Sequence, residues 1–233
     1  MKKLFLMLMM FFSLMANAQK DVTKFLGIPV DGYKAEMKKK LVDKGFTYNA
    51  RNDCFQGEFN GYDVNVYIAT NNNKVWRIMV CDAHSCGEGD IKIRFNHLCS
   101  QFSRNKNYFH MDSVEKDFII SENENISYEM TINNKRYQAS YYQAPDPEKM
   151  DTLVIQNRIK DALLKEFTQE QIDNPTEKQA EEMRQILAKE TTNVIYEAVK
   201  NKSVWFMITE NYGKYYISMF YDNEYNHSDG EDL

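Results

Sequence analysis

No catalytic signature occurs in this sequence. It contains no G-x-S-x-G, no H-E-x-x-H, no glycine-rich phosphate loop and no EF-hand loop. Nucleophile-elbow hydrolases, zinc proteases, phosphate-loop nucleotide binders and EF-hand calcium proteins therefore lose their sequence support. An excess of positive charge is also missing. The chain carries 29 Lys and Arg against 34 Asp and Glu, a net −5 with a pI near 5.5. That balance argues against a general nucleic-acid binder. After residue 18 no apolar run approaches the ~20 residues that span a membrane. What is plentiful is core material. At 43% hydrophobic and 13% aromatic residues, the chain can bury a sizeable interior, which excludes wholesale disorder.

The first 18 residues have the three parts of a secretory signal peptide. Met1-Lys2-Lys3 is a short positive segment, Leu4 to Leu14 is almost continuously apolar, and Ala16-Asn17-Ala18 is an A-x-A cleavage site. Cleavage after Ala18 leaves a chain that begins at Gln19. No Cys follows the apolar segment, so a lipid anchor is not supported. The expected location is the periplasm or the medium.

The mature sequence alternates between helical and strand patterns. Residues 20–32 predict an extended stretch ending in a turn, and 34–44 a short helix stopped at Gly45. Phe55, Gly57 and Phe59 alternate with polar residues up to Asn60-Gly61, the preferred two-residue hairpin turn. Tyr62, Val64, Val66 and Ile68 alternate next, and Trp76, Ile78 and Val80 follow after Asn71-Asn72-Asn73. The first turn sets Gly57 opposite Val64. A three-residue second loop would set Val64 opposite Val80. Every apolar residue of this three-stranded meander then lies on one face.

A helix is predicted over 90–107, with Ile91, Phe95, Leu98, Cys99 and Phe102 as its apolar stripe. Strands are predicted over 114–120, 126–132 and 136–143, then helices over about 150–168 and 176–200. Asn174 reads as the N-cap of the second of these, with Pro175 at its first position. Strands at 203–210 and 214–221 close the pattern. The fold class is α+β, an antiparallel sheet with helices packed on one face. Residues 19–221 form one domain, or two sub-domains at 19–110 and 111–221, with 148–200 as a helical elaboration. The acidic tail, 222–233, is expected to fray.

Four stretches carry a resemblance: Phe25-Leu26-Gly27-Ile28-Pro29-Val30-Asp31-Gly32, Lys44-Gly45-Phe46, Gly57-Glu58-Phe59-Asn60-Gly61-Tyr62 and Val75-Trp76. In order and spacing they resemble a group of uncharacterised exported proteins of Bacteroides-type gut bacteria, over about residues 24–110. The resemblance implies an α+β envelope domain of no known activity and supplies no catalytic residues. Asp112-Ser113-Val114 and Asp151-Thr152-Leu153 also resemble the short motif on which such bacteria O-glycosylate exported proteins, which makes Ser113 and Thr152 candidate sites.

Cys54, Cys81, Cys86 and Cys99 form an even set in an exported chain, where disulfides are the default. Register places Cys54 and Cys81 two strands and four residues apart, roughly 16 Å, beyond the ~7 Å a disulfide allows. Cys54 also points outward while Cys99 lies on the inner stripe of its helix. One bridge is therefore expected between two of Cys81, Cys86 and Cys99, with Cys54 left over. The sharper alternative is a metal held by Cys81, His84, Cys86, His97 and Cys99. Their C-x2-H-x-C spacing lacks the usual zinc knuckle. No cofactor is expected. Glu122, Glu124, Glu181 and Glu182 read as solvated positions.

The last strands are rich in tyrosine. Alternation puts Tyr215, Ile217, Met219 and Tyr221 on one face, and Tyr216, Ser218 and Phe220 on the other. Tyr215, Tyr216 and Tyr221 are candidates for a binding surface, because tyrosine suits half-wet contacts. The expected function is a non-enzymatic exported module that binds a protein or glycan partner. The alternatives are an envelope hydrolase whose site is not visible in sequence, or a Cys/His metal protein. The sequence leaves the oligomeric state open.

Overall fold

A computed structural model describes residues 21–110, 118–146 and 152–227. The signal segment, Ser113 and the last six residues lie outside the described residues. The first hairpin is small: β1 (Lys24–Phe25) and β2 (Ile28–Pro29) join through Leu26-Gly27, both at positive φ. Helix α1 (Lys34–Asp43) buries Met37 and Leu41 and ends before Gly45, whose φ of 93° terminates it as the sequence suggests.

One eight-stranded antiparallel sheet then organises the chain. Its strands are β3 (Thr47–Asn49), β4 (Cys54–Phe59), β5 (Tyr62–Asn71), β6 (Lys74–Asp82), β7 (Tyr108–Phe109), β8 (Gln138–Gln143), β9 (Ser203–Asn211) and β10 (Lys214–Asp222). Across the sheet the order is β3-β4-β5-β6-β10-β9-β8-β7. The last strand, β10, thus inserts beside β6 and joins the first meander to the later strands.

Gly57 faces Val64 as the Asn60-Gly61 turn requires. The ring of Phe46 packs so close to Gly57 that a Cβ there would lie 2.7 Å from its Cδ1. The second hairpin departs from the expected register. Its turn is the two-residue Asn72-Asn73, at φ 48° and 62°. A bulge then leaves Trp76 unpaired, because Thr70 faces Val75 whereas Ala69 faces Arg77. Val64 consequently faces Asp82 rather than Val80. The slip is two residues, so it preserves which side chains face inward.

The inner face carries Phe55, Val66, Ile78, Tyr215, Ile217, Met219, Tyr221, Phe206 and Tyr141, all buried. Helix α2 (Glu88–Arg104) covers it, burying all five stripe residues read from the sequence: Ile91, Phe95, Leu98, Cys99 and Phe102. Phe95, Phe102 and Tyr141 gather around Phe206, with ring centroids 5.2, 5.5 and 6.0 Å from it.

The strand expected over 126–132 is instead helix α3 (Ile126–Ile132). Its apolar residues alternate as in a strand, yet Tyr128 and Ile132 are exposed and only Ile126 is buried. Asn125 decides the outcome, since its side chain accepts from the Tyr128 N–H as an N-cap. Of the strand expected over 114–120, residues 118–120 are described and lie in no strand. Ile120 is fixed by the Asn96 carboxamide, which donates to its carbonyl and accepts from its N–H, each at 2.8 Å.

Between β8 and β9 stand α4 (Thr152–Glu166), α5 (Gln169–Asp173) and α6 (Glu177–Val199). Thr176, not Asn174, is the N-cap of α6, and it forms a capping box with Gln179. Helices α4 and α6 pack on each other, and no residue from 155 to 198 is fully buried. The beginning of the acidic tail does not fray. Asp222 and Asn223 are buried, and Asn223 donates to the Val30 carbonyl at 2.7 Å.

Candidate functional site

Antiparallel register turns the outer face of the sheet into rows of side chains. One row runs Ser140, Trp205, Phe220, Met79 and Tyr67, each opposite the next on neighbouring strands. The adjacent row runs Gln138, Met207, Ser218, Cys81, Asn65 and Gln56. The first is mainly aromatic and apolar, the second mainly small and uncharged. Trp205, Met207, Phe220, Met79, Tyr67 and Tyr216 are half-buried, and Ser140 and Gln138 are exposed. An inner face covered by α2 and a half-buried outer face explain the in–out alternation along β9, while on β10 Ser218 and Asp222 are buried on the outer face as well.

Arg77 organises one end of this face. Its Nε and Nη2 bind both carboxylate oxygens of Asp222 at 2.6 and 2.8 Å. Asp222 is 2% exposed and also accepts from the Trp205 indole N–H at 2.8 Å. The Arg77 guanidinium lies 4.3 Å from the Trp76 ring and 5.0 Å from that of Phe220. The bulge at Trp76 supplies this geometry by placing two consecutive long side chains beside β10. Phe220 and Trp205 stack at 4.0 Å with 19° between their planes. Such contacts fix rotamers, so the face is held in advance of any partner.

Apart from the closed Arg77–Asp222 pair, the two rows are uncharged. Burial raises the pKa of Tyr67, with smaller contributions from the flanking Cys54 and Cys81. Burial likewise raises that of the Cys81 thiol, against a hydrogen bond from Ser218. Neither group ionises near neutral pH. Ser218 links Cys81, at 3.6 Å, to the Thr209 hydroxyl, at 2.9 Å. This strip can offer hydrogen bonds and apolar contact, and it holds no activated nucleophile.

The tyrosine candidates divide. Tyr216 lies on the outer face, whereas Tyr215 and Tyr221 are each 3% exposed on the inner face and belong to the core. With Tyr216, the outer face carries Trp205, Met207, Phe220, Met79 and Arg77. Alternation already separates Phe220 from Tyr221. The pairing of β6 with β10 that completes the row has no local sequence signal.

The expected disulfide is a further correction, since no disulfide joins any of the four cysteines. Cys81 points to the outer face beside Ser218, and the sheet separates it from Cys99 on α2. Cys86 bridges to Tyr215, three positions along β10 from the partner of Cys81, a separation of about 10 Å. Twelve helical residues, ~18 Å, separate Gly87 from Cys99. Each pair exceeds the ~7 Å limit. The same separations scatter the metal candidates. His84 and His97 are exposed, and among the described residues no group of three His, Cys, Asp or Glu could hold an ion. Burial, then Asp90 and Asp82, raises the pKa of the Cys86 thiol. Protein purified without reductant should titrate four thiols per chain in denaturant. In the native state Cys54 and Cys99 should resist Ellman's reagent for many minutes. Two thiols in denaturant would establish a bridge.

Glu124 is tied down by Lys135 and the Tyr137 hydroxyl, and these partners lower its pKa. Thr152 begins α4. Among the described residues no helix is long and apolar enough to cross a membrane. Compared with known proteins, the chain matches no family profile, no curated protein and no solved structure.

Proposed function

We propose that this chain is an exported envelope protein that works as a non-enzymatic binding module, with the outer sheet face as its partner surface. One observation carries the reading: β5, β6, β9 and β10 align Trp205, Phe220, Met79 and Tyr67 in a half-exposed row. Aromatic and methionine side chains, with an arginine beside them, are the composition of protein interface cores. The ring geometry favours a protein over a sugar. Trp205 and Phe220 already occupy one face of each other, and so present edges that suit apolar side chains. The signal segment supports export, as does the resemblance to exported α+β proteins.

The neighbouring row supports a second reading, a glycan. Gln138, Asn65 and Gln56 supply neutral donors and acceptors of the kind that meet sugar hydroxyls.

Site-specific photocrosslinking in the producing cells separates these readings. A benzoyl-phenylalanine at Met207 should give discrete, protease-sensitive adducts. The same group at Ile93, 70% exposed on α2, should give none. Protease-resistant, periodate-sensitive adducts would favour the glycan. Equal adducts from both positions would defeat the assignment of this face.

A further inference from the structure

A concavity lies on the inner side of the sheet, away from the outer face. A cavity of about 420 Å3 lies between the inner face and the C-terminal half of α2. Its apolar lining includes Phe59, Leu98, Phe102, Met219 and Tyr221. It is large enough for a ligand site. At roughly 30 Å3 per water-sized group, it holds on the order of fourteen heavy atoms.

Two tight turns frame the mouth. One is Asn60-Gly61, at φ 54° and 78°, and the other is Leu26-Gly27, at φ 51° and 79°. Asn and Gly suit this left-handed geometry, whereas the Cβ of a leucine there crowds the backbone. Leu26 is also 39% exposed. A strained, partly wet leucine at a cavity rim serves neither the turn nor the surface. It makes sense as a cover for an apolar occupant.

The polar groups fix the chemistry of that occupant. Across the mouth, the Asn60 and Gln101 carboxamides bond each other reciprocally at 2.8 and 3.3 Å. A carboxamide has two donors and two acceptor lone pairs, so each retains one of each for a ligand. At the floor the Tyr108 hydroxyl accepts from Gln143 at 3.1 Å, and burial keeps it and Tyr221 protonated. Glu58 is the one charged residue of the lining; it is exposed at the rim, where its carboxylate disfavours an anionic ligand. No cationic residue lines the cavity.

We propose that this cavity binds a small uncharged amphiphile, an aliphatic chain ending in a hydroxyl or amide that meets the Asn60–Gln101 pair. The site is independent of the outer face, and either assignment can fail without the other.

The test is a titration of the mature protein with 1-decanol, read by methyl and indole NMR. The expected result is saturable shifts of the Leu26, Leu98 and Met219 methyl signals, with the Trp205 indole N–H unmoved. Gln101→Trp plugs the mouth from the helix edge and should weaken binding at least tenfold. Leu26→Gly removes the cover while relieving the turn, and should weaken it several-fold in a protein no less stable. If Gln101→Trp misfolds, the second variant decides. Shifts that do not saturate, that reach Trp205 equally, or that persist unchanged in the folded variants would overturn the proposal.

Discussion

Replacing Phe206 by alanine should cost about 3–5 kcal/mol of unfolding free energy, the range for deleting a fully buried aromatic. Phe206 is 0% exposed and sits where β9 meets α2 through Phe95 and Phe102. The cavity cannot close easily, because its walls belong to a sheet strand and a helix that other contacts hold apart. Urea unfolding followed by circular dichroism measures the loss. The neighbouring Trp205→Phe is the internal control. It keeps a ring on Phe220 and loses one hydrogen bond to the Asp222 carboxylate, so a smaller loss of about 1.5–3 kcal/mol is expected. A loss below about 1.5 kcal/mol for Phe206→Ala would mean that α2 does not seal the inner face.

The second large effect belongs to Arg77. Arg77→Ala removes two hydrogen bonds from a carboxylate that is 2% exposed. Breaking one side of a buried pair typically costs about 3–5 kcal/mol, because the remaining charge stays in a poorly solvated place. Trp205 alone would then hold Asp222, and the guanidinium would be lost from between Trp76 and Phe220. The double change Arg77→Met with Asp222→Leu should recover most of the stability, since apolar side chains of similar volume replace buried pairs well. Failure of the double variant to recover would show that the charges contribute more than their mutual neutralisation.

Much of this fold was legible because a strand repeats every two residues. Alternation alone sorted Tyr215, Ile217, Met219 and Tyr221 from Tyr216 and Phe220, and the structure puts the first set inside. The stripe of α2 was legible for the same kind of reason. Register past the second turn was not. A two-residue turn with one bulged tryptophan shifts pairing by the same small amount as a longer loop, and composition does not distinguish them. The segment 126–132 misled because Ile126, Tyr128, Met130 and Ile132 alternate, although the Asn125 cap was present to read.

The candidate site was the least legible part. Its rows exist only because β10 pairs with β6, and Ser218 meets Cys81 across 137 residues of chain. Tyrosine abundance does not tell the two sides of the last hairpin apart. Two of the three named tyrosines complete the core, and the surface is made by the tryptophan, phenylalanine and methionines between them. The cysteines misled through a rule about compartments, which says nothing about whether the fold brings the thiols within reach.

Hydroxyl-radical footprinting tests the central assignment most directly. The mature protein would be oxidised alone and again within the envelope of producing cells. Trp205, Met207 and Met79 should be oxidised readily in the isolated chain and protected several-fold in the envelope. Tyr212, 98% exposed at the hairpin tip, should react equally in both. Equal oxidation of Trp205, Met207 and Met79 in the two preparations would contradict a partner on the outer face of the sheet.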